Sequence, residues 1–288
     1  MTDLLPPNAT EASRIRYELA RELAERCPPE LGREIAVTGS VARGLADNDS
    51  DIELNFWVET LPSPEKRAEW LRSIGATGVV LDPEPERDGS IWAMGRYRGV
   101  WLEPGWQTIE TLETILDGIL TGQVIDHPRL ILAEIVAHAV AVRTGGLLAR
   151  WQERLAHYPD IVQERLIAAA ARRWTPAPFR WALVRRGERL ALAERLVWDV
   201  HNILRILFAL NRQWEPDWKW ARQMSKQLAI KPERLAERID EIFSTPDAER
   251  SVEACHRLVL DTLALVPPPH DVSATVAAVQ ESLRARAP

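Results

Sequence analysis

The stretch Gly39-Ser40-Val41-Ala42-Arg43-Gly44-Leu45-Ala46-Asp47-Asn48-Asp49-Ser50-Asp51-Ile52-Glu53-Leu54-Asn55-Phe56 constrains this chain more than any other. Just before it, Glu34-Ile35-Ala36-Val37-Thr38 reads as a short buried strand closed by a glycine turn. Then Ile52, Leu54 and Phe56 alternate with Asp51, Glu53 and Asn55, the period of a half-buried strand. Such a strand is apolar on one face and carries two carboxylates on the other. Their Cα atoms would lie roughly 6.6 Å apart with the side chains pointing the same way. Like charges at that spacing repel by about 2–3 kcal/mol at an effective dielectric of about 20. A divalent cation relieves the repulsion, most simply Mg²⁺, which prefers hard oxygen ligands and keeps places for substrate phosphates. The Gly39-Ser40 turn offers backbone N–H groups and a hydroxyl, as a phosphate cradle requires. One element for phosphate and one for metal, joined by a short loop, is a phosphoryl-transfer layout.

Taken together, Gly39-Ser40, the further glycine Gly44 and Ser50-Asp51-Ile52-Glu53-Leu54 resemble the signature of the polymerase-beta-type nucleotidyltransferase superfamily. The style is that of the small aminoglycoside and lincosamide adenylyltransferases. The superfamily pattern is Gly-Ser, a spacer of about ten residues containing a glycine, then Asp-x-Asp or Asp-x-Glu on a strand. Glu53 stands where Asp is commoner. Two-metal phosphoryl transfer needs a further ligand, or a base for the attacking hydroxyl. The resemblance implies that this third carboxylate comes from a later strand of the same sheet. Glu103 fits, since it ends the apolar run Val100-Trp101-Leu102 and precedes Pro104-Gly105, which is expected to stop the strand. In the aminoglycoside adenylyltransferases a glutamate in the matching place is thought to accept the proton of the acceptor hydroxyl. Glu103 is therefore expected as metal ligand, base or both. Glu59, Asp82 and Glu84 lie on less suitable segments.

Other residues of the loop are candidates for nucleotide contacts. Ser40 follows the turn glycine, and Ser50 abuts Asp51, where it either bonds phosphate or braces the loop. Arg43 would sit at a helix beginning, as a bidentate phosphate donor or a solvated arginine. Asp47 and Asp49 read as turn formers with Asn48. Far downstream, Trp214-Glu215-Pro216-Asp217-Trp218-Lys219-Trp220 places a lysine between two tryptophans after a proline break. Lysine is rare here, the others being Lys66, Lys226 and Lys231. The stretch resembles the position from which the helical domain of small antibiotic nucleotidyltransferases sends a lysine to the triphosphate. An ammonium at Lys219 suits diffuse phosphate charge, and Trp220 can stack on a purine or pack into the domain core. Trp101 and Trp106, flanking Glu103, are expected to line an acceptor pocket.

Thr10 caps an expected helix over Glu11 to Cys27, with Ile15, Leu19 and Leu23 on one face, and Ser63-Pro64 opens another. Strands are expected at Val79-Val80-Leu81, Ile91-Trp92-Ala93-Met94 and Val100 to Glu103. Beyond Gly122 only helical spacing is expected, including Pro128 to Arg143, Pro216 to Leu228 and Val272 to Arg286. The fold class is α+β: a nucleotidyltransferase core with a mixed five-stranded sheet over residues 1–122, then an all-α helical bundle over 123–288. No apolar run reaches the length of a membrane span. Two cysteines, Cys27 and Cys255, lack metal-ligand spacing, which makes a reduced, cytoplasmic protein the default. A net charge of −6 argues against a polynucleotide ligand.

The expected activity is Mg²⁺-dependent transfer of AMP from ATP to a hydroxyl of a small molecule, such as an aminoglycoside-like antibiotic or a metabolite, with release of pyrophosphate. Asp51, Glu53 and Glu103 would hold Mg²⁺; Gly39, Ser40, Arg43, Ser50, Lys219 and Trp220 would meet the nucleotide. A toxin acting on tRNA or protein, and a non-catalytic nucleotide-binding or antitoxin-like interaction module, are the alternatives. A homodimer is common in the resembling families.

Overall fold

A computed structural model describes residues 4–174 and 177–285. The chain divides into two compact units, Met1–His157 and Tyr158–Pro288. The strands of the first unit are β1 (Glu34–Val37), β2 (Ile52–Val58), β3 (Thr77–Leu81), β4 (Ile91–Tyr97), β5 (Val100–Thr108) and β6 (Val140–Arg143). They lie in the order β3-β4-β5-β2-β1-β6. Only β2 and β5 run parallel; the other neighbours are antiparallel. The helices of this unit are α1 (Glu11–Glu25), α2 (Gly39–Ala42), α3 (Pro64–Ser73), α4 (Ile109–Leu120), α5 (His127–His138) and α6 (Leu147–Leu155).

The alternation along β2 sorts its side chains between two environments. Ile52, Leu54 and Phe56 join Leu102 and Trp106 of β5 in a core with Tyr17, Ala20 and Leu23 of α1 and with Trp70 and Leu71 of α3. Phe56 stacks on Trp106 at 5.0 Å between ring centroids, and Trp70 meets both rings edge-on. Burying a side chain of this size stabilises by roughly 1.5–3 kcal/mol. On the opposite face Trp57 meets Trp151 of α6 edge-on at 5.2 Å. Buried Glu34 accepts from the N–H groups of Gly145 and Leu147 at 2.8 and 3.0 Å, which fixes the start of α6. That end of the face is covered. Asp51, Glu53 and Glu103 lie half-buried towards its other end.

Local signals hold at the helix starts. Thr10 accepts from the N–H of Ser13 at 3.1 Å, and Ser63 accepts from that of Lys66. Several expectations need correction. Among the described residues the sheet has six strands rather than five, because Val140–Arg143, read as the end of a helix, forms β6. Helix α5 stops when Ala139 turns extended; Val140 and Val142 then pack on the core while β6 pairs with β1. Long-range pairing overrides the helical spacing there. The change from strands to helices at Gly122 thus falls inside the first unit. Strand β5 continues through Pro104-Gly105, where Pro104 lies in the break of the β4–β5 ladder between Trp92–Gly105 and Gly95–Leu102. Ile15 is exposed, since α1 turns Tyr17, Ala20, Leu23 and Ala24 inward instead. The helix expected over Pro216 to Leu228 is a 3₁₀ turn at Trp218–Trp220 followed by a single short helix.

The second unit comprises α7 (Asp160–Ala171), α8 (Phe179–Arg186), α9 (Arg189–Leu210), α10 (Ala221–Ser225), α11 (Leu235–Ser244), α12 (Ala248–Leu263) and α13 (Ser273–Arg284); Arg286 lies outside the described residues. Its core contains a buried ion pair, with Nε of Arg180 donating to Oδ2 of Asp199 at 3.0 Å. His256 of α12 is wholly buried in the same unit. Both cysteines are buried, and burial pushes the Cys27 thiol up to about 12. Neither has the exposed, lowered thiolate that redox work requires. No helix among the described residues is long and apolar enough to cross a membrane.

Candidate active site

The parallel pairing of β2 with β5 sets Glu53 directly opposite Glu103. Asp51, two residues before Glu53, lies on the same face of β2. One carboxylate oxygen from each of Asp51, Glu53 and Glu103 lies within 4.8 Å of the others. All three are half-buried, so water or a ligand can reach them. An acidic trio of hard oxygens gathered in this way could hold a divalent cation.

The turn after β1 is built around the same carboxylates. Gly39 has φ +61°, and a Cβ there would lie 1.7 Å from Oε2 of Glu53. Glycine is required on both counts, by the backbone and by the neighbour. Ser40 follows it, nearly buried in the four-residue helix α2. Thr38 ties the turn to β2: its N–H donates to the Glu53 carbonyl at 3.1 Å, and its hydroxyl accepts from Nδ2 of Asn55 at 2.8 Å. The turn thus presents bare backbone beside a carboxylate.

The loop between α2 and β2 is held from α1. Arg16, buried, donates through Nε to the Ser50 carbonyl at 2.8 Å and through Nη2 to the Asn48 carbonyl at 3.0 Å. Thr10 donates to the Ala46 carbonyl, and Ser13 accepts from the Ala46 N–H. Ser50 itself braces the loop: its hydroxyl donates to Asp47 at 2.8 Å and accepts from the Asp47 N–H at 2.9 Å. The Ser50 hydroxyl holds the Asp47 carboxyl below its usual range.

Arg43 makes a nearly buried ion pair with Glu134 of α5. Glu134 also faces His138, whose Nδ1 lies 3.2 Å from Oε1. The guanidinium is thus engaged by the fold rather than solvated. Glu59 pairs with Arg33, and Asp82 and Glu84 belong to the β3–β4 turn region; none of them joins the trio.

The family described as a domain of unknown function (DUF4037) matches residues 126–221. That span holds Lys219 and Trp220 but none of Asp51, Glu53 and Glu103. No curated protein matches the chain. Among solved structures, the chain is similar to a nucleotidyltransferase-like protein from Exiguobacterium sibiricum 255-15. The two are 14% identical, with 95% of this chain and 77% of that chain covered and a TM-score of 0.40. The relationship is coarse and reaches no substrate or residue.

Trp106 is not a pocket wall. It is fully buried between Phe56 and Trp70, and its Nε1 donates to the Leu31 carbonyl at 3.0 Å. Its place on β5, one residue out of phase with Trp101 and Glu103, sends it to the core face. Trp101 is open, with the Arg96 guanidinium 4.2 Å from its ring centroid. In the second unit Lys219 is exposed and Trp220 half-buried. Asp217 caps their 3₁₀ turn by accepting from the Lys219 N–H at 2.9 Å. Trp218 stacks on His201 at 4.5 Å, lining a cavity of about 180 Å³ with Leu204 and Asp240. Arg16 and the His201–Trp218 stack were missed at the sequence level. Arg16 sits in a helix whose arginines all look alike until the loop folds over it.

Proposed function

We propose that the protein is a Mg²⁺-dependent nucleotidyltransferase that moves AMP from ATP to a hydroxyl of a small acceptor and releases pyrophosphate. One observation carries the reading: Asp51, Glu53 and Glu103 converge beside a glycine turn that has no room for a side chain. These three residues would hold Mg²⁺, which supplies charge neutralisation for the phosphates and the developing oxyanions. Backbone N–H groups of the Gly39-Ser40 turn and the Ser40 hydroxyl meet the β- and γ-phosphates. Ser50 and Arg43 act indirectly, by bracing the loop and the helix that flank the turn.

Glu103 takes the proton of the acceptor hydroxyl while that oxygen bonds to the α-phosphorus. The bond from this phosphorus to the bridging oxygen breaks, and pyrophosphate leaves with the electron pair. The acceptor is an aminoglycoside-like antibiotic or a metabolite, and the net charge of −6 disfavours a polynucleotide.

The test is pyrophosphate release and label transfer from α-labelled ATP, with wild type, Asp51→Asn and Glu103→Gln. Release that needs Mg²⁺ and falls by about a thousandfold or more in both variants supports the reading. ATP binding without release for every acceptor would instead indicate a non-catalytic nucleotide-binding module. Label on tRNA or on protein would indicate a toxin.

A further inference from the structure

The sheet face that carries the acidic trio does not end at Glu103. Strand β4 lies beside β5, and the pairs Trp92–Gly105 and Gly95–Leu102 bring Met94 opposite Glu103. Val80 of β3 is in turn the partner of Met94. A single row therefore crosses four strands: Glu53, Glu103, Met94, Val80. In the next row on the same face, Arg96 pairs with Trp101, which precedes Glu103 by two positions. Half of this surface is acidic. The other half is an apolar shelf.

The shelf is open to an unusual degree for its composition. Val80 is 64% exposed, Met94 45% and Trp101 42%. Large apolar side chains scattered singly over a surface need no explanation, whereas neighbours in adjoining rows beside a reactive cluster do. With strands about 4.8 Å apart, the shelf reaches roughly 10 Å from Glu103 to Val80 and about 7 Å along β5. That is the footprint of one or two six-membered rings. The one charge among Val80, Met94, Arg96 and Trp101 is positive, the Arg96 guanidinium lying on the Trp101 ring.

Order across the sheet assigns the shelf its occupant. Gly39 and Ser40 follow β1, which flanks β2 on the side away from β5. The sequence across the face is thus phosphate turn, Glu53, Glu103, shelf. In-line displacement at phosphorus requires attacking and leaving oxygens on opposite sides. Pyrophosphate held at the Gly39-Ser40 turn leaves the shelf side to the attacking hydroxyl.

We propose that Val80, Met94, Arg96 and Trp101 seat the acceptor, a hydroxyl compound with a flat apolar or aromatic ring face that is neutral or anionic and not a polyamine. The proposal rests on the nucleotidyl-transfer reading and narrows it, setting the polycationic aminoglycoside-like acceptor aside in favour of the metabolite. A ring lying on Trp101 and Met94 places its hydroxyl over Glu103, while Arg96 repels ammonium groups and accepts anionic substituents.

The test uses the full chain with Mg²⁺ and ATP and two acceptor sets, amine-free ring alcohols (aryl glycosides and nucleosides) and polyamino sugars. Pyrophosphate release is measured for wild type, Trp101→Ala, Trp101→Phe and Met94→Asp, each checked for native circular dichroism. The expected result is turnover of the ring alcohols over the polyamino sugars. In Trp101→Ala and Met94→Asp, KM for the ring alcohol rises at least about tenfold, kcat changes little and the Kd of Mg²⁺–ATP is unchanged. Trp101→Phe restores most of the KM. Preference for the polyamino sugars, an unaltered KM, or no turnover of either set while Mg²⁺–ATP binds would overturn the proposal. So would loss of Mg²⁺–ATP binding in Trp101→Ala, which would put the nucleobase on the shelf. A dimer split by Met94→Asp would make it a subunit interface and equally overturn it. Failure of the underlying reading is distinct: folded wild type would bind no Mg²⁺–ATP.

Discussion

A Cβ added to Gly39 would lie 1.7 Å from Oε2 of Glu53, so the turn after β1 and a carboxylate of β2 occupy one shared space. The residue that closes the first strand is thereby committed to the residue that opens the chemistry of the second. A side chain at 39 must displace Glu53 or distort the turn.

Gly39→Ala is therefore expected to lose Mg²⁺–nucleotide affinity by tenfold or more. It should also lose about 1–2 kcal/mol of stability from the left-handed backbone alone. Thermal unfolding and nucleotide titration read the two effects separately. A folded variant with native nucleotide affinity would contradict the shared space.

Arg16 joins α1 to the loop that delivers Asp51 through the carbonyls of Ser50 and Asn48. Hydrogen bonds from a charged donor contribute about 1.5–3 kcal/mol each. Arg16→Ala is expected to unfold at lower denaturant concentration and, while folded, to bind Mn²⁺ more weakly. Amide exchange at residues 47–51 should rise above that of β2. Equal protection in the variant would show that the loop needs no such anchor.

Arg43 and Glu134 test structure against ligand binding. Removing one member of a buried ion pair typically costs 3–5 kcal/mol because the other charge is left without its partner. Arg43→Ala should lower the melting temperature strongly, and Arg43→Met with Glu134→Met should recover most of it. Loss of nucleotide binding in the stable double variant would return Arg43 to the phosphates.

Burial and the neighbouring Arg180 charge hold His256 down at about 4. Unfolded histidine titrates near ~6.5, so between those values the unfolded chain binds the extra proton. Stability from this residue is complete above about pH 6.5 and declines as pH falls towards 4, by about 3 kcal/mol in all. Melting temperatures of wild type and His256→Leu from pH 7 to 4.5 isolate that contribution. Parallel curves would exclude it.

What could be read in advance follows from the range over which each signal acts. The Gly39–Ser40 turn, the alternation of β2 and the caps Thr10 and Ser63 are local, and each is found as expected. Glu103 was also placed on a strand, although its pairing with Glu53 depends on a parallel register that no local pattern carries. Strand β6 was missed because Val140–Arg143 becomes extended only by pairing with β1, more than a hundred residues earlier. Trp106 and Trp101 differ by a strand phase that Pro104-Gly105 was expected to end. The Arg43–Glu134 pair joins segments ninety-one residues apart, and the row from Glu53 to Val80 spans four strands. Such relations exist only once the sheet has formed.

The most direct measurement is titration calorimetry of a non-hydrolysable ATP analogue into wild type and Asp51→Asn, with and without Mg²⁺. The account predicts binding that requires Mg²⁺ and is weakened at least about a hundredfold in the variant. Binding equal in both proteins, or indifferent to Mg²⁺, would contradict a metal site at Asp51, Glu53 and Glu103.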